Sequence, residues 1–173
     1  MTKEAGQGAV RDLVEAASEM MVETIEAFGG ARPPPPVFHM LLPSNLHVGI
    51  EMGRVLTGSM VDLVILTRLL KRTNAVCYAF AFDLPDATSP KLGFVVAGGM
   101  PHWDFAQGVL YDLIGGKVKI FNKLASARSP TRPAALNIIP NLFHADDGEN
   151  LPPEVLEPLD KLVDSAASQI PAT

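Results

Sequence analysis

The stretch "VVAGGMPHWDFAQG" at 95–108 gathers residue types that do chemistry. His102 is of the type that could donate a proton to a ligand, and Asp104 stands two residues on. Trp103, the only tryptophan, offers a flat ring for stacking, and Gly98 and Gly99 let a ligand approach the backbone. Placed between a strand and a helix, this set reads as a site for a small anionic ligand, because the first turn of a helix offers unpaired N–H groups. Gly98, Gly99, His102 and Trp103 are then the binding candidates, and His102 with Asp104 the catalytic ones. The plainer reading carries more weight. The glycines allow a bend, Pro101 stiffens it, Asp104 caps a helix that starts at Phe105, and Trp103 covers one end of the core. Neither G-x-G-x-x-G nor G-x-x-x-x-G-K-[ST] occurs here, so no nucleotide loop is indicated.

A second set is His39, His47 and Glu51. Two imidazoles and a carboxylate suit a divalent metal, or a general acid–base pair. Their spacing matches no metal motif, and the solvent side of an antiparallel sheet reads the same way. His144, beside Asp146 and Asp147 in a loop segment, is a possible third partner with nothing to place it near. The residues name no cofactor. No G-x-S-x-G elbow is present, and Cys77 lies in the apolar run "NAVCYAFAFD", a poor setting for a nucleophile.

The elements that position these residues follow from periodicity. Around "PSN", Phe38, Met40, Leu42, Leu46, Val48, Ile50 and Met52 alternate with His39, His47 and Glu51. Period two on both sides of a three-residue turn predicts a hairpin over 37–52, with Met40 opposite Val48 and Phe38 opposite Ile50. One face is then wholly apolar. "SMVDLVILTRLLKRT" predicts a helix with a Ser59/Asp62 capping box, and with Arg68, Lys71 and Arg72 in its last turn. Tyr78, Phe80, Phe82, Leu92, Phe94 and Val96 predict a second hairpin around "LPDATSP". "FAQGVLYDLI" then predicts a helix ended by Gly115-Gly116, and "KVKIF" a short strand.

Two amphipathic helices flank this core. Val10, Leu13, Val14, Ala17, Met20, Met21, Thr24, Ile25 and Phe28 share one stripe, and Val155, Leu156, Leu159, Leu162, Val163 and Ala166 another. The organisation expected is a helical arm over 1–30, a proline-rich spacer over 31–36, a core over 37–124, a strap or loop over 125–150 and a C-terminal helix over 151–173. The fold class is α+β: an antiparallel sheet built from two hairpins in two ββα-like units, packed with helices, with the amphipathic helices at the ends.

The 173 residues suit one domain with appendages, and 47% hydrophobic against 19% charged residues suits a soluble globular protein. No apolar run is long enough to span a membrane, the N-terminus lacks a secretory pattern, and the single cysteine suits the cytoplasm. The net charge of −5 is uneven. Residues 1–30 hold two basic and six acidic residues, and residues 141–173 one basic and seven acidic. The remaining middle is basic. Acidic ends around a basic middle suggest that the ends fold back on it or on a second copy. The overall acidity argues against nucleic acid. The reading that results is a soluble, cytoplasmic domain that binds a protein partner or small ligand, and a homo-oligomer that self-associates through its first helix. The rival is a small enzyme, hydrolase-like or metal-dependent, using His102 and Asp104 or His39, His47 and Glu51.

Overall fold

The hairpin over 37–52 forms in the register that the alternation requires. In the computed structural model, which describes residues 3–29, 34–52, 60–83, 92–127 and 141–170, β1 (Val37–Leu41) pairs with β2 (His47–Glu51). Phe38 stands opposite Ile50 and Met40 opposite Val48. The turn is closed by Asn45 N–H donating to Leu42 O at 3.0 Å, and Asn45 takes φ 61°, which asparagine tolerates better than most residues. Phe38, Met40, Leu42, Val48, Ile50 and Met52 are buried, and Leu46 is partly so.

The helices at 60–73 and near the C-terminus also form where periodicity placed them. α2 is Met60–Thr73, ended by Asn74 at φ 51°, and α3 is Pro153–Ala167, with Pro152 at its N-cap. Ser59, the first half of the expected capping box, lies outside the described residues. So do the loop at 84–90 and positions 128–140 of the strap expected over 125–150; positions 125–127 belong to the strand Lys117–Ala127.

Residues 105–114 depart from expectation. They are strand, not helix: β5 runs Trp103–Ile114 and pairs with β4 (Leu92–Met100) on one side and β6 (Lys117–Ala127) on the other. Gly115 and Gly116 do not stop a helix. Both have positive φ, 59° and 77°, which is the backbone of a two-residue hairpin turn. Asp104 therefore caps nothing, and the second ββα unit does not form. With β3 (Cys77–Asp83), the strands make one six-stranded antiparallel sheet in the order β2-β1-β3-β4-β5-β6.

Helices cover both faces. On one, α2 and α3 pack against Phe38, Met40, Ile50, Tyr78 and Phe80. On the other, α1 (Lys3–Phe28) lies across β1, β3 and β4 and buries Val10, Leu13, Val14, Met21 and Ile25 against Cys77, Ala79, Phe94 and Val96. Burying those five α1 side chains contributes on the order of 10 kcal/mol, comparable with the net stability of a small domain. The first helix is thus a layer of the core and not an arm, and its apolar stripe is filled by its own chain. Gly98 allows the approach, since a Cβ there would meet Val14 Cγ2 at 2.7 Å and Val10 Cγ1 at 2.9 Å.

The acidic ends fold back on basic residues of the same chain. Arg68 donates twice to Asp160 Oδ1, from Nε at 3.0 Å and Nη2 at 2.7 Å, and once to Asp147 O. Lys71 pairs with Asp147, and Arg72 with Asp164. At the other end Glu26 accepts from Lys117 Nζ at 2.6 Å and Val118 N at 2.9 Å. These bonds, Lys117 first, hold the Glu26 carboxyl below its usual range. No helix among the described residues is long and apolar enough to cross a membrane.

Candidate functional site

Pro101 and His102 are the two central residues of the tight turn between β4 and β5, with Met100 opposite Trp103. Proline presets φ at the first of these positions. His102 is exposed, Trp103 half-buried and Asp104 buried. The segment after residue 140 returns to this turn. His144 Nε2 donates to Pro101 O, and Asn141 Nδ2 donates to Met100 O at 2.9 Å. Asn141 Oδ1 accepts from Phe143 N at 3.1 Å, and Leu142 N donates to the buried Tyr78 hydroxyl at 2.9 Å. Pro101, His102, Trp103, Asp104, Asn141 and His144 line an open cavity of about 350 Å³.

The structure thus brings His102, Trp103 and Asp104 together, and adds Asn141 and His144. Sequence reasoning had His144 only as a possible partner of the other histidines. Gly98 and Gly99 do not serve ligand approach here, because protein fills both sides of the strand. Gly98 faces α1. A Cβ on Gly99 would meet the Tyr78 ring at 3.1 Å and Asn141 Oδ1 at 3.2 Å. Trp103 is already engaged: its ring stacks on Phe105 at 6.1 Å, and the Arg11 guanidinium lies 6.0 Å from its centre. A ligand stacking on that face displaces Arg11.

His39 and His47 also meet, across the β1–β2 pair. His39 Nδ1 lies 2.7 Å from His47 Nε2, and His39 Nε2 lies 3.3 Å from Met20 Sδ. A thioether has no proton to give, so His39 Nε2–H is the donor to sulfur. Nδ1 of the neutral ring then accepts, and His47 Nε2–H donates to it. The face expected to meet solvent is instead roofed by α1 over His39, while His47 remains exposed. Burial, and then the charge of His47, push the His39 pKa down to about 4. Glu51 holds the register position opposite Val37, and its side chain is outside the described residues. Among the described residues no three His, Cys, Asp or Glu side chains are grouped to hold a metal. Cys77 is buried, and burial pushes its thiol up to about 11, so it is inert at neutral pH.

No protein-family model, curated protein or solved structure matches this chain. The chemistry of the site therefore rests on its own geometry. The turn site offers two exposed imidazoles, a buried carboxylate and a polar cavity on a rigid hairpin. The His39–His47 pair offers one buried neutral base reached through one exposed imidazole.

Proposed function

We propose that the chain is a binding module, homo-oligomeric and cytoplasmic, that takes a small polar ligand in the cavity at the β4–β5 turn. The observation that supports this reading is the convergence of His102, Asp104, Asn141 and His144 on one cavity of about 350 Å³. His102 and His144 suit the anionic end of a ligand. The Asp104 carboxylate in the wall suits a donor at the other end. A small carboxylate bearing a hydroxyl or amino group satisfies both. The test uses Trp103, the only tryptophan, as reporter. Its emission is followed while inorganic phosphate, small hydroxy acids and amino acids are titrated. A saturable change that His102→Ala and His144→Ala abolish, with stability held within about 0.5 kcal/mol, supports the site. No response to any ligand, together with lost stability in His102→Ala, sinks it.

A second reading, a small acid–base or metal-dependent enzyme, is favoured by the 2.7 Å contact of His39 and His47. Metal analysis of the purified chain separates the two. Stoichiometric zinc, manganese or iron, lost in His47→Ala, favours the enzyme.

A further inference from the structure

β6 closes one edge of the sheet, pairing with β5 on one side, and among the described residues no strand pairs with its other side. At 11 residues it runs about 36 Å. Long open edges are usually blunted by lysines and bulges. β6 carries both devices: Lys117, Lys119 and Lys123, and a bulge in which Phe121 is the extra residue between Ile120, opposite Tyr111, and Asn122, opposite Leu110. Yet the bulge turns Phe121 outward, 46% exposed, and Leu124 is 51% exposed. Ile120 and, across the turn, Ile114 are exposed as well. One exposed apolar side chain needs no explanation, but a group of them on a sheet edge does.

The complement lies on the same molecule. Between α1 and the β5–β6 pair runs a groove of about 480 Å³, with Val14 and Phe105 as apolar lining and Arg11, Glu15, Glu19 and Lys123 as charged walls. β6 has three lysines, of which Lys117 is held by Glu26 of its own chain, and no acid. The outer face of α1 exposes Asp12, Glu15, Glu19 and Glu23. Lys123 belongs to both strand and groove, so the two surfaces are contiguous. A contiguous patch that is apolar knob and basic strip on one side, apolar groove and acidic wall on the other, is what a two-fold axis requires.

We propose that two copies of the chain associate about a two-fold axis, with Phe121 of each entering the α1–β5 groove of the other and the β6 lysines lying against the α1 acids. This rests on the homo-oligomeric half of the function proposed above and not on its ligand. Sedimentation of the full chain at tens of micromolar tests it. The expected result is a dimer whose dissociation constant rises about tenfold or more at high salt. Phe121→Asp leaves a monomer with unchanged circular dichroism. Lys123→Glu weakens the dimer, and adding Glu19→Lys restores it. Should Phe121→Asp lower the helical signal, the Lys123/Glu19 exchange decides by itself. A dimer indifferent to Phe121→Asp and Lys123→Glu overturns this surface and leaves the homo-oligomer standing. A monomeric full chain overturns both.

Discussion

Nε2 of His47 donates to Nδ1 of His39 across 2.7 Å, and the two rings differ in one respect that matters: His39 is buried under α1 and His47 is exposed. Burial under α1 disfavours a charged His39, and a proton on its Nδ1 would force the His47 ring to change tautomer.

Stability should therefore fall in mild acid. Above pH 6.5 His39 is neutral folded or unfolded. Between pH 6.5 and about 4 the unfolded chain takes the proton and the folded chain does not, so the equilibrium moves toward unfolding as pH drops. From pH 7 to 5 this costs roughly 2 kcal/mol. Below about 4 both states hold the proton and this contribution stops changing. Urea unfolding at pH 7 and pH 5 gives the slope, and His39→Leu should flatten it by that amount. Equal slopes for the two proteins show that His39 is not the group responsible.

The two kinds of glycine should respond differently to alanine. At Gly98 a Cβ would lie 2.9 Å from the Tyr78 carbonyl as well as against Val10 and Val14, and the β3 backbone has no room to retreat. Gly98→Ala is expected to cost about 2 kcal/mol, as overpacking does. At Gly116 the space is open and only φ 77° opposes a side chain. Gly116→Ala should cost about 1 kcal/mol. Reversed midpoints in urea contradict this account of α1 packing.

Much of the architecture was legible in the sequence, and the failures have physical causes. The 37–52 hairpin was readable because one face is wholly apolar and a one-residue slip would expose it. Residues 105–114 fit two periods at once. Phe105, Val109 and Leu113 recur at four, while Phe105, Val109, Tyr111 and Leu113 also lie on one side of a strand. Gly-Gly serves a helix stop and a hairpin turn alike. The alternation resumed in "KVKIF" was the signal that favoured strand. His144 had no signal, since its approach to Pro101 depends on the path of the whole chain. Nor did anything local say that α1 would roof His39.

The ion pairs between α2 and the C-terminal segment should be unequal. Arg68 makes three charge-assisted bonds from a side chain 21% exposed, joining α2 to both α3 and the 141–152 segment. Arg68→Met should cost about 1–2 kcal/mol. Arg72 and Asp164 are each 55% exposed, and Arg72→Met should cost less than about 0.5 kcal/mol. Thermal melts of the two variants in low and high salt check the order. Equal losses would mean that the bridging by Arg68 is incidental.

Tyr78→Phe bears on whether the site is held in place from behind. The Tyr78 hydroxyl is buried and accepts from Leu142 N–H at 2.9 Å, one residue from Asn141 and two from His144. Its ring also fills the space left by Gly99. Phenylalanine keeps the ring and removes the hydroxyl, both the acceptor for Leu142 N–H and its own donor. If the 141–144 segment stays put, a buried N–H is left without a partner, which costs about 1–3 kcal/mol. If the segment lifts to find water, less stability is lost, but the cavity loses the wall that Asn141 and His144 supply. Hydrogen exchange at the Leu142 amide separates the outcomes, since protection survives in the first case and collapses in the second. Either way the Trp103 response to ligand should weaken less than in His144→Ala if the segment stays and as much if it lifts. An unchanged melt with unchanged protection at Leu142 would show that the hydroxyl positions nothing.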